Sequence, residues 1–349
     1  MKLSRRDFLA IAGLGVAGCA SRPIAQPRSP IVDFHVHLLG VGDGGTGCFL
    51  SPAQRERRNY RFLLKILGLS QNGRMDQEYV EVLVRQLRAS SIAQAVLVGQ
   101  DKRYDGNGHP DDEATAIYVP NDYVFRIVRQ YPELFVPCVS INPKRRDAMD
   151  ELEKCAADGA RVLKIHPPIQ GVDPAAERFR PFYRRVADLE IVLMIHTGAE
   201  HSSVVVDDAL SDPARLAPAL EEGCTLVAAH SGMHAFFDDT SSFQDFFPNL
   251  IALAKRFPKL YCDTAVLASM FRWRNIPQLV DNEVLSERLV HASDFPLPSN
   301  ALVFWNRLPP AQTLRLCSET NLVERDYRIK QGLGVPLAAF ERGARLLGV

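Results

Sequence analysis

Short apolar runs alternate with amphipathic segments along most of the chain after about residue 30. We interpret eight of these runs as strands, because they are rich in β-branched residues and bounded by turn-forming residues. In chain order they read IVDFHVH, SIAQAVLVG, LFVPCVSIN, RVLKIHP, IVLMIHTG, TLVAAHSG, LYCDTAV and LVHASDFP. The segments between them, such as YVEVLVRQLRAS and FFPNLIALAKRFP, carry apolar residues at helical spacing and are predicted to be helices.

Strands that alternate with helices predict parallel pairing, and nearly continuous apolar strands predict burial on both faces. Eight such units predict an α/β protein with a closed (β/α)8 TIM barrel. An open doubly wound sheet is the alternative, but no glycine-rich phosphate turn follows the first strand. We expect one barrel domain over residues 31–349. An insertion at about residues 40–76 either covers the carboxyl-terminal face or decorates the periphery.

Polar residues interrupt the apolar pattern near the carboxyl ends of the predicted strands. Because those ends meet at one mouth of a barrel, we expect their side chains to converge. Burying them without partners would cost free energy, and a bound metal ion would supply a partner. These residues are His35, His37, Lys164, His166, His196, His230 and Asp294.

This arrangement resembles the amidohydrolase superfamily. The HxH on the first strand and the phrases VLKIHP, IVLMIHTG, LVAAHSG and HASDFP are most similar to its amidohydrolase-related branch, which includes aminocarboxymuconate semialdehyde decarboxylase. The resemblance covers nearly the whole chain after about Pro30 and implies a TIM barrel of the metal-dependent hydrolase type. It implies that one divalent ion, expected to be Zn²⁺ with manganese or iron as alternatives, is bound by His35, His37, His196 and Asp294.

The resemblance also implies catalytic roles. Asp294 would take a proton from a metal-activated water, and His230 would polarise the substrate or act as an acid or base. Lys164 keeps two interpretations: a carboxylated bridge between two ions, or, with one ion, a cation for a substrate carboxylate or a barrel filler. We favour the single ion. His166 either contacts substrate or fills the barrel.

Three functions follow from this site. The first is a metal-dependent hydrolase acting on an amide, ester or lactone carbonyl of a small molecule. The alternative is a metal-dependent non-oxidative decarboxylase of a small carboxylated substrate. The third is a non-enzymatic lipoprotein that keeps the barrel as a binding module, which the complete ligand set disfavours.

The first residues, MKLSRRDFLAIAGLGVAGCA, have a charged start followed by a short apolar stretch, as export signals do. The pair Arg5-Arg6 matches a twin-arginine signal, and VAGC ending at Cys19 resembles a lipobox. We predict a signal over residues 1–19, a proline-rich tether over residues 20–30, and a periplasmic or membrane-anchored lipoprotein lipidated at Cys19. Cleavage without lipidation and an uncleaved anchor are the alternatives.

The charge balance limits the classes of binding partner, and the cysteine spacing bears on metal sites and disulfides. The chain has 41 basic and 41 acidic residues and a formal net charge of zero, which disfavours nucleic acid and a broad electrostatic membrane surface. We therefore expect a small-molecule substrate and membrane contact only through the N-terminal lipid or signal. No CxxC occurs, so neither a cysteine metal site nor a defined disulfide set is predicted. Association of identical chains is left open.

Overall fold

The computed structural model describes residues 29–349, so the predicted signal, Cys19 and most of the tether lie outside the described residues. Eight parallel strands form one sheet in the order β1-β3-β5-β6-β7-β8-β9-β10, and the pair β2-β4 is antiparallel. The strands are β1 Val32–His37, β2 Phe49–Leu50, β3 Gln94–Val98, β4 Ile117–Tyr118, β5 Phe135–Ser140, β6 Val162–Ile165, β7 Val192–His196, β8 Leu226–Ala229, β9 Leu260–Asp263 and β10 Leu289–Val290.

The sheet closes on itself between β1 and the segment that follows β10. The amide of Phe34 donates to the carbonyl of His291 at 3.0 Å, and the amide of Asp294 donates to the carbonyl of His35 at 2.9 Å. Val36 also forms a parallel bridge with Phe295. This closure confirms the predicted TIM barrel.

Helices connect the strands and cover the barrel. In Met75–Arg88, for example, Tyr79, Leu83 and Leu87 are buried at four-residue spacing, which is the stripe that a helix turns toward a core. The helices are Pro52–Glu56, Arg58–Leu67, Met75–Arg88, Asn121–Gln130, Ala148–Ala157, Pro167–Gln170, Arg180–Asp188, Ala217–Glu221, Phe246–Arg256, Asn275–Val280, Glu283–Ser286, Pro310–Cys317, Leu322–Gly332 and Leu337–Leu347. Over residues 29–349, no helix combines the length and apolarity needed to cross a membrane.

A compact apolar cluster fills the space between the strands. It consists largely of alternate strand residues, including Val162, Met194 and Val227, all of which are almost fully buried. Side chains two apart on a strand share a face, so Lys164 follows Val162 and His196 follows Met194 on the same side. The strand pattern that packs this cluster therefore also delivers polar side chains to one end of the barrel.

The insertion between β1 and β3 lies against the loop that follows β7. Gln54 donates from Nε2 to the carbonyl of Ser202 at 2.6 Å. Arg57 and Asn59 both donate to the carbonyl of His201, at 3.0 and 3.1 Å. Because the β7 loop starts at the carboxyl end of its strand, these bonds hold the insertion beside the barrel mouth.

A buried ion pair supports the closing segment from behind. Lys330 is fully buried, and its Nζ donates to the carbonyl of Ala292 at 2.6 Å and to Asp326 Oδ2 at 2.5 Å. The bond to Ala292 fixes main chain two residues before Asp294. Lys330 therefore links an outer helix to the part of the chain that completes the barrel.

Replacing Lys330 by Met should lower the free energy of unfolding by about 3–5 kcal/mol, because Asp326 would stay buried without its cation. The double variant Asp326→Leu with Lys330→Met removes both charges and should recover much of that loss. Denaturant unfolding of the three proteins measures the difference. Equal stability of the single and double variants would contradict the role given to this pair.

Candidate metal centre

His35, His37 and Asp294 meet at the carboxyl end of β1. Asp294 Oδ1 lies 3.6 Å from His35 Nε2 and 3.2 Å from His37 Nε2. The His35 and Asp294 side chains are buried, whereas the His37 side chain is 24 % exposed. The structure thus brings together three of the four predicted metal ligands, with His37 on the open side.

Asp263, at the end of β9, fixes the orientation of His35. Its Oδ2 lies 3.1 Å from His35 Nδ1, and its Oδ1 accepts the backbone amides of His230 and Ala265 at 2.7 and 3.1 Å. A proton on His35 Nδ1 satisfies this contact and leaves the Nε2 lone pair facing Asp294. A carboxylate behind a histidine is the arrangement that orients metal-binding imidazoles.

Lys164 lies deeper, against the first histidine. Its Nζ is 3.3 Å from His35 Nε2 and 3.5 Å from the sulfur of Met194, and the residue is 1 % exposed. Burial lowers the pKa of Lys164, while Asp263 and Asp294 oppose that shift. The lysine therefore stands next to the candidate ligands, as its position on the fourth barrel strand predicts.

The backbone is strained where the polar side chains enter the site. His230 follows β8 with φ 61°, and Ser231, Val266 and Asp294 also have φ between 56° and 66°. Residues other than glycine pay on the order of 1–3 kcal/mol each for this region. The hydrogen bond from the His230 amide to Asp263 helps to hold His230 in this conformation. His230 Nδ1 lies 3.3 Å from the carbonyl of Ala265 and 4.0 Å from Asp294 Oδ2.

Electrostatics leave the imidazoles of His35 and His230 neutral and the carboxylate of Asp294 ionised. Burial lowers the pKa of His230 to about 3, against the opposing charge of Asp294, and lowers the pKa of His35 well below its usual value. Burial would raise the pKa of Asp294, but His230 and His37 outweigh it and bring it to about 2.

The donor set fits a divalent cation. Asp294 Oδ1 is buried and has no well-oriented hydrogen-bond partner among the described residues. One donor atom each from His35, His230 and Asp294 lies within 4.8 Å of the others. Neutral imidazole nitrogens and a carboxylate oxygen are the ligands that zinc and similar ions take. An ion here would also satisfy the unpartnered carboxylate oxygen.

A second buried group adjoins the first and contains the other predicted residues. The rings of His166 and His196 stack at 4.2 Å, and His196 lies 4.6 Å from the ring of His230. Glu200 reaches both histidines, at 2.8 Å from His166 Nε2 and 3.6 Å from His196 Nδ1. Sequence reasoning missed Glu200. The signal that could have found it is a carboxylate four residues after His196, in the turn that leaves β7.

Arg272 is a second residue that the sequence analysis missed. It is buried, and it donates from Nη1 to the carbonyl of Met233 at 2.6 Å and from Nη2 to the carbonyl of Ala199. These bonds tie the loops after β7 and β8 to the segment after β9. Arg272 therefore sets the position of the chain next to Glu200.

Comparison with known proteins identifies the family of this chain. A family model described as amidohydrolase matches residues 32–303. The chain belongs to the amidohydrolase family. Members of this family typically use a metal ion, and the buried histidine and carboxylate groups of this chain could bind one. No curated protein matches the chain.

Solved structures share the fold at low sequence identity. An uncharacterised TIM-barrel protein from Bordetella bronchiseptica is 19 % identical with a TM-score of 0.57, covering 92 % of this chain and 100 % of that one. A putative 2-pyrone-4,6-dicarboxylic acid hydrolase from Pseudomonas putida is 17 % identical with a TM-score of 0.52, covering 91 % and 97 %. A 5-carboxyvanillate decarboxylase from Novosphingobium aromaticivorans, complexed with manganese, is 12 % identical with a TM-score of 0.50, covering 92 % and 97 %.

Gly198 lies between the two residues His196 and Glu200, where the chain leaves β7. Its φ is +85°, and an added Cβ would lie 2.2 Å from the carbonyl oxygen of Met233. Gly198→Ala should therefore cost about 1–3 kcal/mol more in unfolding free energy than the same change at a roomy site. Gly223→Ala is the matched control, since its φ is +93° but its nearest neighbouring atom is 3.9 Å away.

Denaturant titration of both glycine variants measures this difference. The control should lose only about 1–2 kcal/mol of unfolding free energy, which is the cost of placing alanine in the left-handed region. If both variants unfold at the same midpoint, close packing at Gly198 does not set the loop that carries Glu200.

Proposed function

We propose that this protein is a metal-dependent hydrolase that acts on an amide, ester or lactone carbonyl of a small molecule. The observation that carries the proposal is the convergence of His35 and His37 on Asp294 Oδ1, a buried oxygen without a well-oriented hydrogen bond. The proposed ligands are His35, His37, His196 and Asp294. A divalent ion held there, Zn²⁺ in our proposal, would supply Lewis-acid activation of a water molecule and of the carbonyl.

The residues around the ligands would handle the proton. Asp294 is ionised at neutral pH and can accept a proton from the attacking water. His230 lies beside this carboxylate, with its Nδ1 4.0 Å from Asp294 Oδ2, and would polarise the substrate carbonyl or act as an acid or base. Asp263 holds His35 and the His230 amide in place and is a positioning residue.

Lys164 supports the decarboxylase alternative. A buried ammonium group next to His35 is suited to neutralising the carboxylate that such a substrate must carry. In the hydrolase, the same charge would favour substrates with an anionic group, or Lys164 would bridge two ions as a carbamate. The two reactions differ in product, because only decarboxylation releases carbon dioxide.

His35→Ala should remove about one ion per chain and lower the hydrolytic rate on the order of 100-fold or more, since it removes a ligand that Asp263 orients. His109→Ala is the control, because His109 is half-exposed, pairs with Asp105 and belongs to neither group of candidate ligands. Elemental analysis measures the ion. A panel of amides, esters, lactones and carboxylated aromatics, assayed for hydrolysis and for carbon dioxide, measures the reaction.

The outcomes separate the functions. Hydrolysis that chelators and His35→Ala both abolish supports the proposal. Carbon dioxide release with the same dependence favours the decarboxylase. Full hydrolytic rate and metal content in His35→Ala would contradict both.

We also propose that the chain is exported by the twin-arginine route and anchored by a lipid on Cys19, with no other membrane contact. The supporting observations are Arg5-Arg6 and the VAGC sequence. Cys19→Ser should move the protein from the membrane fraction to the soluble periplasm, because the lipid is the anchor. The exposed Cys317 provides the control Cys317→Ser. Fractionation checks this, and unchanged membrane association of Cys19→Ser would contradict lipidation.

A further inference from the structure

The group His166, His196 and Glu200 is a second cluster of metal-binding residue types. One donor atom from each residue lies within 4.8 Å of the others. All three are buried, with exposures of 5, 2 and 8 %. A carboxylate buried this deeply needs a partner, because desolvating a charged group is costly.

The side-chain oxygen of Gln100 determines which nitrogen of His166 carries the proton. Gln100 donates from Nε2 to the carbonyl of Asp101 at 3.1 Å, which turns its Oε1 toward His166 Nδ1 at 3.3 Å. That oxygen only accepts, so Nδ1 holds the proton and Nε2 of the neutral ring holds a lone pair. The lone pair then faces Glu200 Oε2 at 2.8 Å, an arrangement that a cation between the two atoms would stabilise.

The same logic applies to His196. Its Nε2 lies 3.3 Å from the carbonyl of Gly198, which accepts a proton from that nitrogen. Its Nδ1 therefore holds the lone pair, lies 3.6 Å from Glu200 Oε2, and has no hydrogen-bond partner among residues 29–349. Both rings thus direct a lone pair toward one carboxylate oxygen, while their other nitrogens donate to carbonyl oxygens.

We propose that His166 Nε2, His196 Nδ1 and the Glu200 carboxylate bind a second divalent cation next to the one at His35, His37 and Asp294. Two histidines and a glutamate with an open position are a known ligand set for zinc, and an outer N–H donated to a carbonyl is typical of ligating histidines. The second ion needs no carboxylated Lys164.

This assignment changes the place of one predicted ligand. His196, named above among the ligands of the first ion, offers its only free lone pair to the second ion instead. His230, whose donor atom lies within 4.8 Å of those of His35 and Asp294, is then available to the first ion. The inference rests on the proposed function for its chemistry. Its metal stoichiometry is measured independently of activity.

The test compares metal content in the zinc-loaded wild type, Glu200→Gln and Glu133→Gln. The wild type should hold about two ions per chain and Glu200→Gln about one, because the amide removes the charged ligand. Glu133→Gln makes the same charge change at an exposed ion pair and should keep both ions. Circular dichroism shows whether each variant is folded.

A second measurement uses the wild type alone, so it does not depend on a folded variant. Crystals of the zinc-loaded protein should give an anomalous peak about 2.1 Å from His166 Nε2, His196 Nδ1 and a Glu200 oxygen. No peak there, or two ions retained in folded Glu200→Gln, would overturn the inference. One ion in an active hydrolase would overturn it and leave the proposed function intact. No ion in either experiment would overturn both.

Discussion

The barrel depends on the join between β1 and the segment that follows β10. Main-chain hydrogen bonds cross this join in both directions, from Phe34 to His291 and from Asp294 to His35. Asp33 reinforces it from inside, because its Oδ1 accepts the amide of Ser293 at 2.8 Å. The same bonds that close the cylinder place the Asp294 carboxylate opposite His35. Closure of the barrel therefore also assembles this part of the site.

Closure brings several polar groups into a region with little water, and hydrogen bonds offset much of the cost. The Asp263 carboxylate contacts the His35 ring and accepts the backbone amides of His230 and Ala265. Asp294 Oδ1 and His196 Nδ1 are two exceptions among residues 29–349, since both are buried without a well-oriented hydrogen bond. Native proteins rarely leave such atoms unpaired. Each of the two adjoining donor groups contains one of them.

Much of the barrel could be predicted from the sequence because its strands are apolar on both faces. All eight predicted runs contain a barrel strand, but the last is shorter than expected. LVHASDFP is a ladder strand only at Leu289–Val290, since the chain then turns into the left-handed region at Asp294 to present its carboxylate. The pair β2-β4 was not predicted, because strands of two residues have no periodicity to detect.

The site was predicted where its residues follow strand ends and was missed where they lie in loops. Alternation along β1 and β6 and the family resemblance led to His35, His37 and Lys164. Glu200 and Arg272 reach the mouth through loop conformations set by tertiary contacts, such as the bonds of Arg272 to Met233 and Ala199. Single-sequence patterns carry little information on such contacts.

The β7 loop is held from two sides, by Arg272 at Ala199 and by the insertion residue Gln54 at Ser202. Glu200 lies between these two attachment points and accepts the amide of Ser202. A ligand that shifts the insertion must therefore also change the free energy of placing the Glu200 carboxylate. By thermodynamic reciprocity, whatever fixes that carboxylate alters affinity at the insertion by the same factor. A ligand bound against the insertion and the cation proposed at Glu200 would therefore be coupled through this loop.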